Sequence, residues 1–175
     1  MIVIQGIDDG ILNFIQNNLH FLLMDKLMIF VSTIGDNGAI WICIAFLLML
    51  TKKYRPIGLM ITGALFLCLL IGSVTLKPYF GRIRPFHVFT DVTLLIKGPT
   101  GFSFPSGHTM TSFASATVIF LKNKRWGIWA ITLASLIAFS RMYLFVHYPS
   151  DIVVGLIIGI TIGLLVVKVA IGMKK

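Results

Sequence analysis

Three short stretches place ionisable residues in an otherwise apolar chain. KPYFGRIRPF (77–86) carries Lys77 and Arg84, PSGH (105–108) carries Ser106, Gly107 and His108, and SRMYLFVHYPSD (140–151) carries Arg141, His147 and Asp151. A lysine ammonium and the planar fork of an arginine together match phosphate oxygens better than any neutral ligand. Lys and Arg at helix ends also serve as snorkelling anchors for anionic headgroups. Ser106 is placed to cap a helix, and Gly107 leaves its backbone N–H open to close approach. Such a helix start binds anions and holds His108 beside one, where the ring can give or take a proton; the plainer reading is a capped helix with an incidental histidine. In the third stretch Asp151 follows His147 by four residues. A carboxylate on one ring nitrogen fixes the tautomer and leaves the other nitrogen as nucleophile or base. The alternative is an Arg141–Asp151 ion pair with His147 facing water. Ionisable residues in apolar segments are functional by default, so the three clusters together point to one phosphate-handling centre.

These residues need elements to hold them. The chain is 57% hydrophobic and only 12% charged, with a mean hydropathy of +0.95, well beyond an ordinary soluble domain. Its apolar residues come in blocks, and a crossing helix needs about 20 of them. The expected fold is all-α, a single domain over residues 1–175 forming an integral membrane bundle of six transmembrane helices, with spans near 21–35, 39–50, 57–76, 106–121, 126–145 and 150–169. GDNG at 35–38 reads as the turn between the first two spans, and 77–105 as an extracytoplasmic active-site loop. From Ile7 to Leu22, the apolar Ile7, Ile11, Phe14, Ile15, Leu19 and Leu22 recur at helical spacing opposite Asn13, Gln16, Asn17 and His20. This segment is either an N-terminal interfacial helix lying on the membrane or the first turns of span one.

Charge orients the bundle. Lys52, Lys53 and Arg55, then Lys122, Lys124 and Arg125, then Lys168, Lys174 and Lys175 fall on one side of a six-span plan, which the positive-inside rule makes cytoplasmic. Both termini belong to that side, in a plasma-membrane protein. Lys77, Arg82, Arg84, His87, Lys97, His108 and His147 fall on the other side, and basic residues that break the rule signal function. The net charge of +9 does not signal nucleic acid, because the cations form small clusters between apolar blocks and no continuous stripe. Cys43 and Cys68 sit inside apolar blocks and read as small buried hydrophobes, with no disulfide or zinc spacing. MIVIQGIDDG lacks the basic start of a cleaved signal, so the N-terminus is expected to be retained. The outer loops hold no carboxylate cluster for a metal; no metal, cofactor or obligate protein partner is expected.

The residues resemble a known family. Lys77 to Pro85 fits K-x6-RP, 105–108 is PSGH, and Ser140 to Asp151 fits SR-x5-H-x3-D. This ordered triple signature is similar to that of the type 2 phosphatidic acid phosphatase (PAP2) superfamily, which includes bacterial acid phosphatases and vanadium haloperoxidases. The six-span plan resembles its membrane branch of phosphatidylglycerophosphatase B and undecaprenyl pyrophosphate phosphatase enzymes. The resemblance implies a metal-independent phosphatase in which His147 is the nucleophile that forms a phosphohistidine and Asp151 orients it. It implies that His108 protonates the leaving group and then activates water, while Lys77, Arg84, Arg141, Ser106 and the Gly107 backbone hold the phosphoryl oxygens. Phosphoryl transfer mostly needs positioning and charge neutralisation, which such a set supplies. The implied substrate is a lipid phosphate such as phosphatidylglycerol phosphate or phosphatidic acid. Alternatives are an undecaprenyl pyrophosphate, recycled as a cell-wall carrier, and a non-catalytic lipid-phosphate binder or transporter. The loop aromatics Tyr79, Phe80, Phe86, Phe89, Phe102 and Phe104 serve either the headgroup or an ordinary interfacial belt. Two positions depart from the family pattern: Ile83 stands where Pro often precedes Arg-Pro, and Phe145 where a small residue, often Gly, precedes Val-His. Phe145 is expected to narrow the pocket or meet an acyl chain.

Overall fold

A computed structural model describes residues 2–172, and among them every regular element is helical. In chain order these are α1 (Ile2–Asn18), α2 (Leu22–Ile34), a 3-10 turn (Asp36–Gly38), α3 (Ala39–Met49), and α4 (Arg55–Cys68), which continues as a π-helical stretch, Leu69–Leu76. Then come α5 (Lys77–Phe80), α6 (Pro85–Val88), α7 (Gly107–Lys122), α8 (Lys124–Tyr143) and α9 (Pro149–Gly172).

Helix α7 is the centre, packed by α4, α8 and α9. Its small residues Ser112, Ala114, Ser115 and Ala116 are buried, and small side chains let helices approach closely where lipid removes the usual hydrophobic drive. Helix α9 answers with Gly155, Gly159 and Gly163 on one face. A Cβ on Gly159 would stand 2.5 Å from the Met110 carbonyl oxygen, and one on Gly163 2.7 Å from Thr117 Cβ. The close seam brings the heads of both helices together, where the Ser106 N–H donates to the Asp151 carbonyl at 3.2 Å. Ser106 caps α7 through the Thr109 N–H, and Asn123 caps α8 through the Trp126 N–H, so each helix starts where a side chain satisfies its first free donors.

The GDNG segment differs from expectation. It does not reverse the chain: α2 and α3 form one rod bent by 45°. Asn37 (φ 52°) and Gly38 (φ 72°) both take the left-handed conformation, which interrupts the helical ladder for about one turn without turning it back. Arg55–Val88 and Pro149–Gly172 are each long and apolar enough to cross a membrane, and the α2–α3 pair qualifies only as one bent unit. The expected six separate crossings are not reached on this test. The N-terminal segment is a distinct helix, not the first turns of span one. It begins at Ile2, ahead of the expected start, and ends at Asn18 before a break. Its apolar Ile7, Ile11 and Phe14 face outward while Leu12, Ile15 and Asp8 are buried. Asp8 accepts from the Ser150 N–H at the head of α9 (2.8 Å), so α1 lies at the site end. Helix α9, about 36 Å long, carries Gly172 to the opposite end. Helix α1 and the end of α9 therefore lie at opposite ends of the bundle, where one shared side was expected.

At that far end, Pro56, Lys122, Val169 and Ala170 line one apolar groove, so the starts and ends of α4, α7 and α9 meet there. Lys174 and Lys175 lie outside the described residues. Cys68 is buried as expected, but Cys43 is exposed, on the outer face of α3. Asp25, with no role assigned from sequence, takes the Tyr143 hydroxyl at 2.6 Å and His20 Nδ1 at 3.0 Å, pinning the α1–α2 corner to the end of α8.

Candidate active site

His147 lies in the link between α8 and α9 and is buried. Its Nε2 meets Arg84 Nη1 at 3.2 Å, and its Nδ1 lies 3.4 Å from Asp151 Oδ2. A guanidinium only donates, so Nε2 is the accepting nitrogen and the ring proton sits on Nδ1, facing the carboxylate. Burial, reinforced by the charges of Arg84 and Arg141 and opposed by Asp151, pushes the His147 pKa from its ordinary value down to about 3. The imidazole is neutral, with a lone pair on Nε2.

Asp151 is fully buried and well partnered. Oδ2 also takes the Ser103 hydroxyl and the Tyr148 N–H (3.0 Å), and Oδ1 takes Arg82 Nη1 at 2.7 Å. The expected alternative, an Arg141–Asp151 pair, is not formed: Arg141 Nη1 instead donates to Ser32 Oγ and lies 3.9 Å from Asp36 Oδ1. Arg141 is buried, and its Nε has no hydrogen-bond partner among the described residues. An unpaired buried donor costs about 1–3 kcal/mol, which an anion beside it would relieve. Arg84 holds its place through the carbonyls of Gly101 and Val146, both at 2.9 Å. Lys77, at the end of the π-helical stretch, lies near enough to Arg84, Arg141 and Asp151 for their charges to act on it.

At the head of α7, the first helical bond is Met110 N–H to Ser106 O at 3.0 Å, which leaves the N–H groups of Gly107 and His108 ahead of the ladder. A Cβ on Gly107 would meet nothing within 4 Å, so the backbone there is open. Ser106 Oγ is occupied by the Thr109 hydroxyl at 2.9 Å, which makes it a cap before it is a ligand. His108 Nε2 bonds Asp36 Oδ1 at 2.9 Å. A cleft of about 390 Å³ opens beside Asp36 and Arg141, lined also by Ser32, Thr33 and residues 96–100.

The structure thus gathers Lys77, Arg84, His108, Arg141, His147 and Asp151 at one end of the bundle, with Ser106 and Gly107 at the head of α7. Sequence reasoning missed Asp36, Ser103 and Arg82. An acidic residue between two apolar blocks was a signal for Asp36, read only as part of a turn. Arg82 was noted as a rule-breaking cation without a role, and Ser103 carried no motif.

Phe145 does not line the cleft. It is buried with Leu12 and Tyr148, its ring edge-on to Phe89 at 5.7 Å. Its φ is 58°, which explains why glycine suits the position: a left-handed side-chain residue costs about 1–2 kcal/mol, here offset by burial of a large ring worth about 1.5–3 kcal/mol. Among the loop aromatics, Tyr79, Phe80 and Phe102 are exposed.

The comparisons with known proteins follow the same outline. The PAP2 superfamily profile matches residues 53–172. An undecaprenyl-diphosphatase of Sulfolobus acidocaldarius is 31% identical over 83% of the chain and 70% of its own length. A lipid A 4'-phosphatase of Porphyromonas gingivalis is 38% identical over 72% of the chain and 58% of its own length. The crystal structure of Aquifex aeolicus LpxE superposes with a TM-score of 0.76 at 30% identity, covering 93% of this chain and 95% of that one. A transmembrane PAP2-type phosphatidylglycerolphosphate phosphatase of Bacillus subtilis, at 24% identity, shares the fold with a TM-score of 0.74 over 94% of this chain and 84% of its own.

Proposed function

The chain belongs to the PAP2 superfamily and is a membrane lipid phosphatase, and from that premise we propose that it hydrolyses a phosphomonoester lipid such as phosphatidylglycerol phosphate or phosphatidic acid through a phosphohistidine, without a metal ion. The observation that carries this is His147 held between Arg84 on Nε2 and Asp151 on Nδ1. Arg84 turns its donor from the ring to a phosphoryl oxygen as Nε2 attacks phosphorus. The bond to the leaving oxygen breaks, and His108 gives that oxygen a proton. His108 then takes a proton from water, the new hydroxide cleaves the N–P bond, and phosphate leaves. Lys77, Arg84, Arg141 and the free N–H groups of Gly107 and His108 neutralise the phosphoryl oxygens. A ring of fixed cations disfavours a divalent metal and favours the dianionic phosphoryl group as the neutral imidazole attacks it.

The bundle crosses the membrane five times in this reading, through α2–α3, α4 with its π-helical extension, α7, α8 and α9. Lys52, Lys53, Lys122, Lys124 and Lys168 mark the cytoplasmic end, so the site faces outward in the plasma membrane. Helix α1 lies in the outer interface with its apolar face in lipid. A diphosphate lipid such as undecaprenyl pyrophosphate is a second reading, supported by the Sulfolobus relative, which aligns with 83% of the chain. Inorganic phosphate release from purified protein, measured side by side on phosphatidylglycerol phosphate and undecaprenyl pyrophosphate in detergent, separates the two. Vanadate should inhibit and chelators should not. No release from either substrate would leave a non-catalytic binder.

A further inference from the structure

Arg82 takes no part in the steps above, yet both arms of its guanidinium are engaged. Nη1 donates to Asp151 Oδ1 and to Ser150 Oγ, each at 2.7 Å. Nη2 reaches α1, donating to Asp8 Oδ2 at 2.7 Å and Gln5 Oε1 at 2.9 Å. The guanidinium carbon stacks 3.9 Å over the Tyr148 ring. Asp8 is almost fully buried, accepts from the Ser150 N–H at 2.8 Å and takes the Ser150 hydroxyl at 2.5 Å. A surface helix thus contributes an acid that caps α9 from outside and clamps the arginine on the far side of Asp151.

We propose that α1 is part of the frame that aims His147, with Asp8 and Arg82 as positioning residues: Asp8 fixes Arg82, Arg82 fixes Oδ1 of Asp151, and Oδ2 is thereby left to the imidazole. The inference rests on His147 being the nucleophile. The charges explain why the chain is arranged in this order. Asp8 and Asp151 are two buried carboxylates facing one arginine, and each would be costly to bury alone. Without Arg82 the two buried carboxylates are left with no cation between them, and their repulsion is uncompensated. Asp151 then loses either its charge or its orientation, and the Nδ1 proton of His147 loses its acceptor. Helix α1 is tied to the site end by this link and by the buried Leu12 and Ile15, while Ile7, Ile11 and Phe14 face outward.

The test is a double-mutant cycle on the full chain in detergent, with phosphate release as the readout. Arg82→Met should lower kcat on the order of 10²-fold with KM nearly unchanged, and Arg82→Lys should recover most of the loss, because an ammonium still neutralises Asp151. Asp8→Asn should cost about tenfold alone. In the Arg82→Met background Asp8→Asn should cost nothing or restore activity, since it removes the repulsion the first change created. Wild-type kcat in Arg82→Met, a loss confined to KM, no rescue by lysine, or losses that multiply in the double variant would each overturn the proposal. If Arg82→Met is not recovered as a monodisperse protein, Asp8→Asn, which keeps the side-chain shape, carries the test, and wild-type kcat there overturns it. His147→Ala is the control: if it turns over, the phosphohistidine reading fails first, and if it is dead while Arg82→Met is unimpaired, only the α1 link fails.

Discussion

The site holds two histidine–aspartate pairs built on opposite plans. His147 and Asp151 are i, i+4 neighbours, with side chains 2% and 0% exposed and 3.4 Å between Nδ1 and Oδ2. His108 and Asp36 are 72 positions apart, 17% and 55% exposed, and closer, at 2.9 Å through Nε2. The tautomers are opposed as well. Arg84 donates to His147 Nε2, so that ring keeps its proton on Nδ1. Asp36 accepts from His108 Nε2, so that ring has Nδ1 left to exchange protons. The buried aspartate is tied by Arg82, Ser103 and the Tyr148 N–H as well as by its histidine, whereas Asp36 makes one short bond and a looser approach to Arg141. A shorter distance is therefore not the tighter coupling. In the proposed mechanism the nucleophile must hold one orientation, which the buried pair enforces, and the acid must stay reachable by water, which the more exposed pair permits.

The comparison breaks first at the buried pair. His147→Ala should remove turnover by about 10⁵-fold or more, the scale of losing a nucleophile, with no phosphoenzyme trapped on denaturing gels; full activity of this variant on a lipid phosphate would sink the mechanism. Asp151→Asn should cost on the order of 10⁴-fold in kcat, as expected when an orienting carboxylate no longer fixes the tautomer. A loss below tenfold would mean that Arg84 alone aims the ring.

Changes at the other pair should be milder and should depend on the substrate. His108→Ala should slow formation of the phosphoenzyme about 10²–10⁴-fold on a lipid alkoxide leaving group, and far less on p-nitrophenyl phosphate, whose leaving oxygen needs no proton. An equal loss in this first step on both substrates would place His108 in binding and not in acid catalysis. Asp36→Asn should cost about tenfold at low salt and less as ionic strength rises, because a carboxylate this exposed is screened. Asp151→Asn should be insensitive to salt. Equal salt slopes for the two variants would erase the distinction between the pairs.

The same contrast governs what was legible in the sequence. His147 and Asp151 sit on one helical turn, so spacing alone brings them together, and Lys77, Arg84, PSGH and Arg141 form ordered motifs that the fold gathers at one end. Asp36 reaches His108 only because GDNG bends the α2–α3 rod by 45° beside α7, a tertiary fact that local spacing does not encode. On the proposed five-crossing plan, reading the same four residues as the turn between two spans adds a crossing and moves the N-terminus to the other side. Ser103 and Asp8 are likewise joined to Asp151 across long loops and separate helices. Phe145 failed for another reason: its side chain drew attention, whereas the left-handed backbone is what constrains the position.

The smallest expected effect concerns pH and sharpens the difference in burial. An exposed imidazole takes up a proton near pH 6.5, but His147 in the folded protein resists protonation down to about 3, chiefly because burial disfavours its charge. Between those values the unfolded chain binds a proton that the folded chain does not, so this residue makes stability fall as pH drops from about 6.5 toward 3, and contributes nothing to the slope above 6.5. Replacing it by Asn should flatten the dependence of Tm on pH between 6 and 4 while leaving Tm at pH 8 within a few degrees. As the proposed nucleophile, His147 keeps its lone pair in that window, so an acid limb of kcat/KM lying above pH 5 is expected from another group. His108 must be protonated to give up its proton, so it sets the alkaline limb of kcat/KM; that limb should move in Asp36→Asn, where the reachable pair is altered, and an alkaline limb that stays fixed in that variant would remove His108 from the proton-transfer step.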